Sequence, residues 1–249
     1  MSGAVIGVIP ARYGSTRLKA KPLADICGKS LIRRVYEGAR SSRLLDELLI
    51  ATDDERIIQH AASFGARAVM TSQTCRSGTE RAYEATCSKD ARIVVNIQGD
   101  EPLVTGEMVD TLVGLFDEDP RAEVATLVFP IISSEQANNP NVVKAVCDNE
   151  RFALYFSRSP IPYYRTVPPA GESAYLKHIG MYGYRKEVFA RIAGLLPTRL
   201  EEAESLEQLR WLGAGVRIKV GISPGDSVGI DTEDDLARVR RLLMEEEGR

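Results

Sequence analysis

The densest group of reactive side chains lies near the amino terminus. Arg12, Arg17, Lys19 and Lys21 fall on one short stretch that has no acidic residue until Asp25. Like charges crowded on a loop repel one another, so the stretch predicts an anionic partner. Ala11 and Arg12 follow an apolar, β-branched run, Val5-Ile6-Gly7-Val8-Ile9, that Pro10 is expected to end. Gly14 and Ser15 allow a tight turn and present backbone N–H groups, an arrangement suited to a phosphate chain. A solvated basic loop is the alternative; strand, proline, glycine and cations occurring together favour phosphate. Two familiar phosphate motifs are excluded. Gly28-Lys29-Ser30 resembles the end of a P-loop, but Leu23 stands where that motif needs its first glycine, and the triplet does not follow a strand. No Gly-x-Gly-x-x-Gly follows the first strand, which argues against a dinucleotide site.

Other candidate groups are more dispersed. Gln98-Gly99-Asp100-Glu101-Pro102 directly follows the strongest strand signal, Ile93-Val94-Val95-Asn96-Ile97. Asp100 there suits a ligand that holds a hard cation against phosphate oxygens, although the same residues also favour an ordinary turn. Its place at a strand's carboxyl end favours the metal. Ser77-Gly78-Thr79-Glu80-Arg81 opens a helix; capping explains most of it, and Gly78 with free N–H groups also suits a nucleobase edge or phosphate. In Ile230-Asp231-Thr232-Glu233-Asp234-Asp235, Thr232 is a natural cap and Asp231 is open to a functional role. His178 sits in an alternating strand, where a lone histidine is more often structural. Glu204, Glu207, Gln208 and Arg210 fit the wet face of a helix.

These residues need a scaffold. Helices are predicted over 29–42, from Asp53-Asp54 to near Gly65, and over 77–88, 105–118, 202–212 and 232–246. Strands are predicted over 5–9, 48–52, 66–70, 93–97, 123–130, 142–147, 153–157, 177–184 and 216–222, with a Pro- and Gly-rich loop over 160–173. The β-α alternation of the first half indicates an α/β fold with a doubly wound, mostly parallel sheet. The less regular second half reads as an inserted subdomain, roughly 131–185, in one unit of 249 residues. A net charge of −3 argues against general nucleic-acid binding. No apolar run reaches membrane-spanning length and no secretory signal is evident. The four cysteines are scattered and there are only two histidines, so a zinc site is not expected and a reduced, cytoplasmic protein is.

Taken in order, the segments resemble the 3-deoxy-manno-octulosonate (Kdo) cytidylyltransferases, or CMP-Kdo synthetases. The resemblance rests on Ile9-Pro10-Ala11-Arg12-Tyr13-Gly14-Ser15-Thr16-Arg17-Leu18 with Lys21-Pro22-Leu23, on Ala51-Thr52-Asp53, on Ser77–Arg81, and on Val95–Pro102. It continues through Ala153–Arg158 with Ile161-Pro162, His178–Arg185 and Leu206-Glu207-Gln208-Leu209-Arg210. The first block alone indicates a sugar-nucleotide cytidylyltransferase; the phrases around Phe156, His178 and Gln208 are closer to the Kdo branch. Two departures stand out. The family usually has Leu-Pro-Gly-Lys-Pro-Leu where this chain has Leu18-Lys19-Ala20-Lys21-Pro22-Leu23. It usually has Pro before the Glu-Asp of its C-terminal motif, which here reads Asp231-Thr232-Glu233-Asp234-Asp235-Leu236.

The resemblance implies a nucleotide-diphospho-sugar transferase-like fold and the reaction CTP + Kdo → CMP-Kdo + pyrophosphate, supplying lipopolysaccharide synthesis. It implies catalytic roles for Arg12, Lys21, Asp100 and Asp231, with Mg²⁺ held by Asp100 and Asp231. Nucleotide contacts would come from Ala11, Arg12, Gly14, Ser15, Lys21, Ser77, Gly78, Thr79 and Arg81. Sugar contacts would come from Gln98, Arg158, His178, Tyr182, Glu207 and Gln208, with Arg158 facing the Kdo carboxylate. A homodimer formed through the inserted subdomain is also implied. The alternatives are a cytidylyltransferase for sialic acid or 8-amino-Kdo, or a catalytically idle nucleotide-binding homologue.

Overall fold

The structure is a computed structural model and describes residues 3–14, 18–166 and 175–247. The chain divides into two compact units, Met1–Asp110 with Asp226–Arg249, and Thr111–Gly225. The expected subdomain 131–185 falls within the second.

The first unit opens with β1 (Ala4–Ala11), whose Val5, Ile6, Val8 and Ile9 are buried. Burial on both faces is what an unbroken apolar run produces in a parallel sheet. A hairpin of β2 (Asp25–Ile26) and β3 (Lys29–Ser30) follows. Its turn residues Cys27 and Gly28 both have positive φ, at 51° and 79°, the backbone of a tight two-residue hairpin turn. Next come α1 (Leu31–Arg40), β4 (Glu47–Thr52), α2 (Glu55–Ser63), β5 (Ala68–Met70), α3 (Gly78–Thr86), β6 (Ala91–Asn96) and α4 (Gly106–Glu118), which leads into the second unit. Ser30, Asp54 and Ser77 cap α1, α2 and α3 by accepting backbone N–H groups. The strands run parallel in the order β6-β1-β4-β5. Because they are parallel, the carboxyl ends of β1, β4 and β6 lie along one edge, where open α/β sheets bind their ligands.

The second unit contains β7 (Val124–Ile131), α5 (Ser134–Asn138), β8 (Lys144–Cys147), β9 (Ala153–Ser157), β10 (Tyr175–Arg185), α6 (Lys186–Ala193), α7 (Arg199–Glu204), α8 (Gln208–Gly213) and β11 (Ile218–Ile222). β7 pairs with β11 in parallel and with β10 in antiparallel, and β8 is antiparallel to both β10 and β9. The antiparallel pairings of the mostly parallel sheet thus lie here. The last helix, α9 (Glu233–Glu247), returns to the first unit. Among the described residues no helix is long and apolar enough to cross a membrane.

Several expectations need correction. Pro10 does not end the first strand, which continues to Ala11. It lies beyond the last β1–β6 pair, Val8↔Asn96, so its missing N–H breaks no bond on that side. The single helix over 202–212 is two, α7 and α8, separated at Ser205 with φ 51°. Helix α6 was not anticipated, nor was the short α5. The Pro- and Gly-rich stretch lies partly outside the described residues.

Candidate active site

Beyond the carboxyl ends of β1 and β6 the first unit encloses a cavity of about 310 Å³. Its lining includes Ala11, Arg12, Lys21, Ser77, Gly78, Arg81, Gln98, Asp100 and Asp231. Segments far apart in sequence meet there for identifiable reasons. Gly99 is required because a Cβ at that position would stand 2.5 Å from the Pro10 carbonyl oxygen; only glycine lets the loop after β6 cross the end of β1. The Ile230 N–H then donates to the Asp100 carbonyl at 2.9 Å, tying the two acidic loops together. Asp231 is further fixed by the start of α9. Asp235 accepts from the N–H groups of Asp231 and Thr232 at 3.0 and 2.9 Å, and Thr232 Oγ1 accepts from Asp235 N at 3.2 Å. This reciprocal cap works without the proline usual in the family.

Lys21 occupies the centre of the acidic pair. Its Nζ donates to Asp100 Oδ2 at 2.7 Å, to Asp231 Oδ1 at 3.1 Å and to the Ile230 carbonyl at 2.6 Å. Lys21 therefore has anionic partners within the chain. Arg12, by contrast, is exposed at the cavity wall. The two carboxylates fit a hard divalent cation: both are oxygen donors that reach a common point, and such ions complete their shell with phosphate and water.

The opposite wall is α3. Ser77 Oγ accepts from Glu80 N at 3.2 Å, so the cap is real. Arg81 is buried, with Nη2 donating to Asp53 Oδ2 at 2.7 Å and Nη1 to Thr71 Oγ1 at 2.6 Å. A buried guanidinium held by one carboxylate is rigid, and it gives Asp53, at the end of β4, a structural task. Thr79 is buried and Gly14 is exposed, and neither is among the lining residues. Ser15 and Arg17 lie outside the described residues. Sequence reasoning missed Pro10, Pro22, Cys75, Arg76 and Gly99 as lining residues. The Cys75 thiol is pushed up to about 11 by burial and by its hydrogen bond to Glu84, so it is a weak nucleophile.

The remaining candidates belong to the second unit. Arg158 donates from Nε to the Glu204 carbonyl at 2.6 Å, from Nη1 to the Pro140 carbonyl at 2.9 Å and from Nη2 to the Ser205 carbonyl at 3.4 Å. It clamps the end of α7, and its backbone N–H donates to Glu204 Oε2 at 2.9 Å. His178 contacts Thr126 Oγ1 at 3.0 Å and the rings of Phe156 and Tyr182. Burial pushes its pKa down to about 3, so it is neutral at physiological pH. Tyr182 and Gln208 are buried, and Glu207 precedes α8 within 3.9 Å of Arg210.

Comparison with known proteins decides which family carries this arrangement. The cytidylyltransferase family profile matches residues 6–218. A 3-deoxy-manno-octulosonate cytidylyltransferase from Chloroherpeton thalassium is 48% identical over 238 residues, covering 95% of this chain and 96% of that protein. The protein of the same description from Phocaeicola vulgatus is 49% identical, covering 98% of each chain. The chain belongs to the 3-deoxy-manno-octulosonate cytidylyltransferase family. A solved structure described as a CMP:2-keto-3-deoxy-manno-octonic acid synthetase complexed with CTP superimposes with a TM-score of 0.91 at 43% identity, covering 98% of this chain and 99% of that one. The fold is thus that of this cytidylyltransferase family, with a mixed, mostly parallel sheet.

Proposed function

We propose that the chain transfers the cytidylyl group of CTP to Kdo in the cavity beside Lys21, Asp100 and Asp231, releasing pyrophosphate. The observation that carries this is the convergence of two carboxylates and a lysine at the carboxyl edge of a parallel sheet, with Arg12 on the same wall, in a member of this family. The anomeric 2-hydroxyl oxygen attacks the α-phosphorus of CTP, the bond to the pyrophosphate oxygen breaks, and the hydroxyl proton passes to solvent. Arg12 and Lys21 offset the charge of the triphosphate. Ser77, Gly78 and Arg81 face the cytidine, with Ala11 and Ser15 assigned to the nucleotide on the motif resemblance. Asp100 and Asp231 would hold Mg²⁺, which when bound neutralises phosphate charge and lowers the pKa of the attacking hydroxyl. Positioning and electrostatics supply most of the rate, so no histidine base is needed.

Gln98 is the proposed sugar contact of this cavity. Sugar-contact roles for His178, Tyr182, Glu207 and Gln208 rest on the motif resemblance alone, and Arg158 is assigned to its clamp. We also propose a homodimer formed through the second unit. Four free thiols suit the cytoplasm, where CTP is made.

Pyrophosphate release from CTP should require Kdo, with sialic acid or no sugar giving background. Asp100→Asn should lower kcat by at least about 10²-fold, the scale of losing a main electrostatic contact. Equal turnover with sialic acid would move the substrate to another acidic sugar. Release without any sugar, or full activity in Asp100→Asn, would overturn the proposal.

A further inference from the structure

Lys21 faces two demands that its geometry makes incompatible. An ammonium has three N–H donors, and here they point to Asp100, Asp231 and the Ile230 carbonyl. A phosphate oxygen can receive a hydrogen bond from Lys21 only if one of these contacts breaks. A divalent cation on the same carboxylates needs the same break, because two positive charges cannot share those oxygens without strong repulsion. The side chain of Lys21 is only 15% exposed, so water screens the repulsion weakly.

We propose that Lys21 is an internal counter-ion that keeps the two-carboxylate site closed to divalent cations until a nucleoside triphosphate draws it away. This rests on the assignment of Asp100 and Asp231 as the cation ligands. Phosphate attracts the ammonium, which frees the carboxylates. A cation bound there then repels the ammonium toward the phosphate. Cation and nucleotide therefore bind cooperatively, each raising the affinity of the other by the same factor. The backbone is built for a side-chain exchange without loop movement. The Ile230 N–H bond to the Asp100 carbonyl and the cap formed by Asp235 hold the two acids in place independently of Lys21. Pro22, directly after Lys21, is buried. Metal thereby enters chiefly with its nucleotide.

The test is Mn²⁺ binding to the full chain without nucleotide, read by the electron paramagnetic resonance signal of the free ion. Lys21→Met removes the charge, and Lys21→Gln removes it while keeping a donor for the Ile230 carbonyl, so one reports if the other fails to fold. Both should bind Mn²⁺ at least about ten-fold more tightly than the parent chain. Mn²⁺ should also raise their melting temperatures more than that of the parent. Unchanged Mn²⁺ affinity in a folded variant, or tight Mn²⁺ binding by the parent chain alone, overturns the counter-ion role. Equilibrium dialysis of CTP with and without Mg²⁺ tests the underlying assignment separately. Mg²⁺ should strengthen CTP binding to the parent chain and not to Asp100→Asn combined with Asp231→Asn. A double variant that keeps the Mg²⁺ effect overturns the carboxylate assignment itself.

Discussion

At Arg158 the residue type and the intrachain contacts point to different roles. A planar guanidinium suits a sugar carboxylate, yet here three of its nitrogens donate to the carbonyls of Pro140, Glu204 and Ser205. Nothing in the local sequence announces those partners, because two of them lie 46 and 47 residues away. The same distance effect hid the pairing of Lys21, whose acids are 79 and 210 residues off. Lys21 and Asp100 stand out in the sequence by their places after strands, and Asp231 is singled out by the family resemblance; their mutual contact was not legible. For Arg158 the clamp sets the expectation. Arg158→Lys keeps the charge but cannot reproduce the fork. It should lose about 1.5–3 kcal/mol of stability, the worth of hydrogen bonds from a charged donor, with both KM values unchanged. Thermal unfolding and steady-state kinetics on the same variant decide. An unchanged melting temperature with a raised KM for Kdo returns Arg158 to the sugar.

Elements were legible wherever their hydrophobic period and their end signals agreed. Helix α1 shows Leu31, Ile32, Val35, Tyr36 and Ala39 on its buried face behind a serine cap, and β1 is a continuous apolar run. Where the two signals disagree the reading failed. The period of Ala203, Leu206 and Leu209 runs straight through the break at Ser205, so one helix was expected where two exist. Helix α6 is preceded by Arg185 at its N-cap, which makes no side-chain cap bond, and so gave no start signal. The loop before Lys21 holds a related conflict. The family usually has glycine where this chain has Ala20, and Ala20 adopts φ 54°, the left-handed region that favours glycine. An alanine there is strained by about 1 kcal/mol, partly offset by glycine's larger entropy in the unfolded chain. Ala20→Gly should therefore stabilise the chain by about 0.5 kcal/mol, measured by denaturant unfolding, and leave the Lys21 contacts intact. A lower stability would mean that the turn is not strained.

At the scale of the whole molecule, the first unit holds the cavity proposed for the nucleotide, and the second carries large apolar side chains that stand exposed among the described residues. Ile132, Leu154 and Tyr163 are 82%, 62% and 86% exposed. Leu154 is on β9, which forms a ladder only with β8 among the described residues, and an exposed apolar side chain on such a strand invites pairing with another chain. Composition could not reveal this, since an exposed leucine and a buried one read alike until the sheet order is known. A second copy is the simplest cover, and light scattering should give about twice the 27.4 kDa chain mass. Leu154→Lys places a charge that would have to be desolvated in such an interface. It should shift the mass toward the monomer while leaving the intrachain contacts of Lys21 untouched. A parent chain that is monomeric across micromolar concentrations would remove the dimer. A dimer indifferent to Leu154→Lys would move the interface away from β9.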